Sequence, residues 1–598
     1  MPKRTKKKTS SARPSAVATR TETRQMSEQA LRRHDRKRMT LVGGCLLMGF
    51  LATTVSQADK QVFSRKEIIN KAIEAKRYET ERTEEARRGT IFSADGRVLA
   101  ESQDVYELGL FYTRLPKSPA FFAALAEASG KSIDEISRPA LTGSKSRLWR
   151  DPISADQARR VRQVMRDWRA DGISLAPVLR RAYPLGEAGA GLLGFVRDGE
   201  AVTGLEYSQD KPLAGTDGRA KGFVDRSGIF MPIKGKDIAE LDNGRDIALT
   251  IDFEIQTEAT MALKHAVDRN NATSGAAIVM DPANGDILAM ANWPSYDPTG
   301  KLKPGDDLNA TYMSVFEPGS TFKILTLAKA LDEGKTTQTS EMDCPGHITV
   351  QGRTLKCAHG AHGHIDWEKA IAESCNVAAS RWALDMGRDS MIEMIQGLGL
   401  LERPGLGLPG ELAGRYNFND YTKNLQLANN GFGQAMNATP VALASAFSVF
   451  GNHGVRMKPR LITRIGEEEI APQKVGEVFT PETSEYVLKM MTSTIEKDFG
   501  TGKGLRIPGY QMAGKTGTAQ KLAGGGQKGY VSNFVGFVPA QNPKAVILVM
   551  INDPKAGSYY GGTVAGPVFT DLAKAVIRRY GIPPQVDSVV ENDSALGR

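Results

Sequence analysis

Glu317-Pro-Gly-Ser-Thr-Phe-Lys-Ile-Leu-Thr-Leu-Ala-Lys-Ala-Leu331 divides into a stop and a start. Pro318 and Gly319 end the preceding chain, and the apolar spacing after them predicts a helix that finishes near Gly334. Ser320 and Lys323 lie at i and i+3, so both project from one face at the helix N-terminus. A serine hydroxyl becomes a nucleophile when a base takes its proton, and a lysine one turn away does so if burial lowers its pKa. The helix N-terminus also favours negative charge on a developing oxyanion. Ser-x-x-Lys alone is common in chains of average composition, and a serine in that place also serves as an N-cap.

Two further stretches give it context. Glu373-Ser-Cys-Asn-Val377 follows the helical Asp366–Ala372. In an extended or tightly turned backbone Ser374 and Asn376 face the same side, where a hydroxyl relays a proton and a carboxamide holds a substrate amide. Loop capping is the plainer role for the same residues. Ala513-Gly-Lys-Thr-Gly-Thr-Ala519 places Lys515 and Gly517 on one strand face. Gly517 leaves room for a ligand backbone, and Lys515 with Thr516 and Thr518 suits a carboxylate. A phosphate loop is excluded, because the upstream glycine spacing and the strand-to-helix context are missing.

Outward from these motifs, Ala276–Met280 and Ile287–Ala291 flank Asp281-Pro-Ala-Asn-Gly-Asp286, a hairpin with a strong Asn-Gly turn signal. Gly509–Ala513, Ser532–Val538 and Ala545–Ile551 read as late strands, and the sequence between is mostly helical. The expected architecture is α/β (α+β): an antiparallel sheet closed by its first and last strands and flanked by helices, over about 246–580. Residues 59–245 read as a mainly β pedestal, interrupted by a helix over Ser154–Gly172 and opened by a helix over 60–88. A flexible tail is expected over 581–598.

The whole net charge of +10 sits at one end, where residues 1–38 carry thirteen Lys/Arg against Glu22, Glu28 and Asp35. The rest is balanced, so nucleic-acid binding gains no support. Residues 1–38 suit a disordered cytoplasmic tail. The uncharged run Met39–Val55 predicts a single transmembrane anchor over 39–58, with the N-terminus inside by the positive-inside rule. A cleaved signal peptide is the other reading, since Ser56-Gln-Ala58 offers small residues. Both place the remainder on the periplasmic or extracellular side of the cytoplasmic membrane. Cys344 and Cys357 bracket a short hairpin-like alternation, and a disulfide between them suits that compartment. No metal or other cofactor is expected. Still, Cys344-x2-His347 and Cys357-x-His359, with His362 and His364 close by, have ligand types suited to zinc, and a flexible Gly-rich loop suits the stretch equally.

The order Ser320/Lys323, Ser374/Asn376, Lys515-Thr-Gly517 resembles that of the penicillin-binding proteins and serine β-lactamases. Arg88-Gly-Thr-Ile91, Arg181-Ala-Tyr-Pro184, Gly204-Leu-Glu206, Asp281–Asp286 and Gly431–Pro440 resemble landmarks of the class B penicillin-binding proteins, closest to the FtsI-type septal peptidoglycan D,D-transpeptidases. Departures are Ser93-Ala-Asp-Gly96 in place of Asp-Arg-x-Gly, Cys375 in place of a commoner serine, and Ala310 where arginine is frequent. The resemblance implies a penicillin-binding transpeptidase fold and a D-Ala-D-Ala transpeptidase working on peptidoglycan stem peptides and inhibited by β-lactams. Ser320 would attack the penultimate D-alanine carbonyl with Lys323 as base. Ser374 would protonate the departing D-alanine, Asn376 would hold the acyl chain, and Lys515, Thr516 and Thr518 would bind the terminal carboxylate. A SEDS-type glycosyltransferase and other division proteins are the implied partners. An elongation-type enzyme, a D,D-carboxypeptidase and a β-lactam-sensing scaffold are the alternatives.

Overall fold

The computed structural model describes residues 19–59, 79–224, 230–416, 423–522 and 528–585. The chain divides into two compact units, Met1–Glu84 with Gly218–Glu240, and Glu85–Asp217 with Leu241–Arg598.

In the first unit a helix, α1, runs over Thr19–Ala58, and its Arg38–Ala58 portion is long and apolar enough to cross a membrane. Disorder is expected across 1–38, yet the helix takes in residues 19–38, where Arg, Glu, Gln, Met and Ala are good helix formers. The unit's other element is a three-stranded sheet in which Glu79–Glu84 pairs antiparallel with Gly218–Val224, itself paired with Phe230–Ala239. The helix expected over 60–88 therefore does not extend past 78. Its apolar positions Ile68, Ile69 and Ile73 lie outside the described residues.

The second unit begins with the pedestal strands. Val98–Phe111 pairs antiparallel with both Ser146–Ser154 and Ile173–Ala182. The same sheet continues through Ile91–Phe92 to Ile247–Leu249 and Ile462–Ile465. Ser154 caps the expected helix through a capping box with Gln157, and that helix runs from Ala155 to Asp167. Arg88, Arg181 and Glu206, from three separate sequence landmarks, meet in one buried cluster. Glu206 is fully buried and accepts from Arg88 Nε at 2.5 Å and Arg181 Nε at 2.7 Å.

Beyond the pedestal, Asp252 caps α2 (Phe253–Arg269) by accepting from the backbone N–H groups of Glu254 and Ile255, each at 3.0 Å. Strands β1 (Ser274–Met280) and β2 (Ile287–Trp293) form the expected hairpin, with Gly285 in the left-handed conformation at its turn. A helical middle follows: α3 (Lys323–Asp332), α4 (Trp367–Ala372), α5 (Asn376–Gly397), α6 (Pro440–Ser448) and α7 (Pro481–Glu496). Strands β3 (Ala513–Leu522), β4 (Lys528–Val538) and β5 (Ala545–Asn552) complete an antiparallel sheet of order β2-β1-β5-β4-β3, and α8 (Gly566–Tyr580) closes the domain. First and last strands are thus neighbours, with Ile278 opposite Leu548.

Both faces of this sheet are buried, which explains strands written as continuous apolar runs. Alternation still assigns sides. Ala276, Ile278, Met280, Leu548 and Met550 pack with α3 and α6, while Ala277, Val279, Ile547 and Val549 pack with α2 and α8. After Gly581 the chain turns back, and Gln585 donates its N–H to Gly509 O. The ordered chain therefore reaches into the expected 581–598 tail.

Candidate active site

Ser320 sits in a single 3-10 turn, Gly319–Phe322, that leads directly into α3. Residues three apart eclipse in that geometry, so Ser320 and Lys323 are stacked one above the other. The turn is wedged in place. Gly319 has a φ of +59°, and a Cβ there would lie 3.0 Å from Thr518 O. Its N–H donates to Gly433 O at 3.0 Å, while Asn533 Nδ2 donates to Pro318 O at 3.1 Å.

Lys323 is 1% exposed and points at the second motif, donating to Ser374 O at 2.6 Å and to Ser374 Oγ at 3.0 Å. Lys515, fully buried on β3, reaches the same Oγ at 3.0 Å and also donates to Thr516 O at 3.1 Å. One hydroxyl therefore stands between two buried amines. Burial lowers the Lys323 pKa to about 8. Burial, followed by the charge of Lys323, pushes Lys515 well below its ordinary value.

The Ser374–Asn376 segment does not reach this arrangement by strand alternation. Ser374 adopts a left-handed conformation (φ +60°), Cys375 caps α5, and Asn376 is its first helical residue. Such a φ at a serine is stored strain, held by the surrounding contacts. The Asn376 carboxamide donates to Lys356 O at 2.7 Å, which leaves its oxygen to accept from a ligand.

Ser320, Ser374, Asn376, Thr516 and Thr518 all line one cavity of about 680 Å³. Lys515 and Gly517 occupy the opposite face of β3 from the two threonines. Gly517 has a different reason from the one expected: a Cβ there would lie 2.2 Å from Asn533 Oδ1, so the vacant volume is filled by the chain's own strand β4, not by a ligand. The sequence reading missed Thr501, whose hydroxyl is 2.9 Å from that of Thr516, and Gly561, whose N–H donates to Thr518 Oγ1 at 3.2 Å. It also missed Tyr560, and it read His359 as a zinc-type ligand where the structure sets both at the cavity wall, their ring centroids 6.3 Å apart. Phe432 and Gln434, inside the quoted Gly431–Pro440 run, were legible as a landmark without a location.

Comparison with known proteins follows the same outline. The profile of the "Penicillin binding protein transpeptidase domain" matches residues 275–574, and that of the "Penicillin-binding Protein dimerisation domain" matches 83–249. The chain is 31% identical to the peptidoglycan D,D-transpeptidase FtsI of Escherichia coli K12 over 564 residues, 92% of each chain. It belongs to the penicillin-binding protein transpeptidases. Another relative of this transpeptidase is the probable peptidoglycan D,D-transpeptidase PbpC of Pseudomonas aeruginosa, 33% identical over 69% of this chain and 73% of that one. Among solved structures, penicillin-binding protein 3 of Mycobacterium tuberculosis in complex with aztreonam superposes with a TM-score of 0.65 at 26% identity. It covers 84% of this chain and 98% of its own.

One feature of this penicillin-binding protein departs from expectation. Cys344, Cys357 and Cys375 are all free thiols, so the structure holds no Cys344–Cys357 disulfide. Nor do Cys344, His347, Cys357 and His359 form a set. His347 is exposed on the short strand His347–Val350, and His359 faces the active-site cavity. The hairpin instead folds Cys344 and Cys357 onto Cys375 and His362, whose ligand atoms all lie within 4.8 Å of one another.

Proposed function

We propose that the protein cross-links peptidoglycan stem peptides through an acyl-enzyme on Ser320, in the manner of a septal D,D-transpeptidase. The observation that carries this reading is Ser374 Oγ, held 3.0 Å from both Lys323 Nζ and Lys515 Nζ at the floor of the cavity that Ser320 lines. A carboxylate arriving at Thr516 and Thr518, with Lys515 Nζ behind them 3.4 Å from Thr516 Oγ1, favours the charged form of Lys515, which leaves Lys323 as the neutral amine. Lys323 then takes the Ser320 proton as Oγ attacks the penultimate D-alanine carbonyl. Backbone N–H groups of Ser320 and Thr518 stabilise the tetrahedral oxyanion. Its collapse breaks the peptide bond, and the proton passes by way of Ser374 to the nitrogen of the departing D-alanine. Asn376 holds the acyl chain until an amine from a neighbouring stem displaces Ser320, which recovers its proton. β-Lactams acylate the same hydroxyl.

Coverage of 92% of both chains against FtsI supports assignment to division rather than elongation, with a SEDS-type glycosyltransferase as partner. The apolar Arg38–Ala58 segment and the basic residues before it support an anchor with its N-terminus in the cytoplasm and the catalytic unit outside. Fluorescent-penicillin labelling of the wild type beside Ser320→Ala tests the chemistry. Labelling disappears in the variant, and an unlabelled folded wild type would sink the reading. Depletion in cells tests the assignment: filaments support division, whereas rounded cells show an elongation enzyme. Release of D-alanine without cross-linked product would identify a carboxypeptidase.

A further inference from the structure

Three thiols and an imidazole that the acyl transfer does not use converge beside the Ser374 turn. Cys344 ends the strand Glu341–Cys344, Cys357 follows the strand Arg353–Lys356, His362 precedes the strand Gly363–Asp366, and Cys375 caps α5. The three sulfurs are 3.8, 3.8 and 3.4 Å apart, and His362 Nδ1 is 3.3 Å from Cys344 Sγ. A tetrahedral zinc with Zn–S bonds of about 2.3 Å and a Zn–N bond of about 2.0 Å sets its ligand atoms roughly 3.5–3.8 Å apart. These four separations lie near the edges of that tetrahedron, and all four ligand atoms lie within 4.8 Å of one another. We propose that Cys344, Cys357, His362 and Cys375 bind one structural Zn²⁺ that fastens the segment 341–366 to Ser374-Cys-Asn376.

The segment lends the main core a modest apolar face, with Ile348 and Leu355 half-buried against it. It consists of two small two-stranded ladders, and its buried apolar residues besides the two cysteines are Met342, Val350 and Ile365. A metal held by Cys344, Cys357 and Cys375 would cross-link both ladders to α5. The loops around the cluster are shaped to close on it. Gly346 has a φ of +83°, and a Cβ there would lie 2.7 Å from Ala361 N, so the two ligand-bearing loops touch. Cys357 N–H donates to Gly346 O at 2.9 Å. Cys375 Sγ accepts from Ala378 N–H at 3.4 Å at the N-terminus of α5, which fixes the direction of the sulfur. His362 Nδ1 faces the sulfurs, while Nε2 is buried without a partner among the described residues.

Four protein ligands close the coordination shell, so the ion is structural and takes no part in the acyl transfer. Binding replaces three thiol protons with one dication, giving a centre of net charge −1 and releasing three protons. Cys375 lies between the proton relay and the acyl-chain ligand. It is thus a positioning residue, through which the metal fixes the left-handed Ser374.

Metal content is read without turnover, so this proposal and the acyl-transfer reading fail separately. Full-length protein purified in detergent without chelator holds about one zinc per chain by mass spectrometry, and Cys344→Ser/Cys357→Ser holds less than ~0.1. Should that variant not fold, the wild type reloaded with Co²⁺ shows thiolate-to-cobalt charge transfer and intense tetrahedral d–d bands. Stripping the metal slows penicillin acylation roughly 10–100-fold, and Zn²⁺, not Mg²⁺, restores it. Less than ~0.1 zinc in wild type after incubation with excess Zn²⁺, or a cobalt form without thiolate bands, would overturn the site. A Cys344–Cys375 disulfide in that protein would do the same. Acylation indifferent to stripping would overturn the positioning role.

Discussion

The pedestal cluster and the active site, both within one compact unit, bury paired cations under opposite arrangements. Arg88 and Arg181 share the fully buried Glu206, and Arg88 also meets Asp210 at 2.6 Å. Lys323 and Lys515 share only a hydroxyl. In the first cluster the opposing carboxylates keep both charges in place, and arginine, which stays charged, is the suited residue. In the second, among the described residues, no carboxylate faces the amines, and burial outweighs the charges of Cys375 and Cys357 that oppose it at Lys323, so the lysines lose their hold on protons. The lesson is that the pedestal uses buried charge to fix a junction between three landmarks, and burial at the candidate active site favours a neutral amine, the form the proposed base requires.

The contrast yields outcomes in descending size. Lys323→Met removes the proposed base and lowers the rate of penicillin acylation by about 10²–10⁴-fold, measured by stopped-flow or fluorescent labelling. It leaves thermal stability equal or higher, because a buried amine whose charge burial disfavours has gone. Glu206→Gln does the reverse: it strands the buried Arg181 and leaves Arg88 with Asp210 alone, lowers stability by roughly 3–5 kcal/mol in thermal or denaturant unfolding, and spares acylation in whatever fraction stays folded. Equal effects of the two variants on stability would erase the distinction.

The pH dependence follows from the same difference. Acylation requires neutral Lys323, so its rate rises with pH and levels off above about 8. Between that value and the ordinary lysine pKa the unfolded chain binds more protons than the folded one at this site. Stability contributed by this residue therefore rises with pH across the interval, and the excess stability of Lys323→Met over wild type shrinks there. A gap constant from pH 7 to 10 would show that Lys323 is not desolvated. The smallest effect is that of Thr501→Val, which removes the 2.9 Å hydroxyl contact to Thr516 and weakens substrate or penicillin binding by about 1 kcal/mol, read as a rise in KM without a fall in kcat.

Local chemistry made much of this legible in advance. Asn284-Gly285 marked the hairpin because a turn of that kind needs a left-handed glycine, and the two-faced burial of β1 and β5 was written as uninterrupted apolar runs. Ser320 and Lys323 were legible because their relation is one helical turn. What stayed hidden is non-local. Nothing near Gly433 or Asn533 announces that they grip the Ser320 turn, since their partners lie at Gly319 and Pro318. The four histidines of 347–364 were equivalent as ligand types, and the backbone alone decides that His362 joins the cysteines while His359 turns to the cavity. The left-handed Ser374 is imposed by its surroundings and contradicts the local preference of serine.

The seating of Gly319 against Thr518 sets a timetable for the protein's birth. Ser320 is synthesised early, but the strand that shapes its turn begins at Ala513, and the partner that closes the sheet over β1 ends at Asn552. At ribosomal rates of ~5–20 residues per second, the hydroxyl waits on the order of 10–50 s before its pocket can form. A nascent chain is therefore inert towards penicillin until nearly its last strand has emerged. Prematurely terminated chains anchored in the membrane hold a serine that neither cross-links wall nor captures drug.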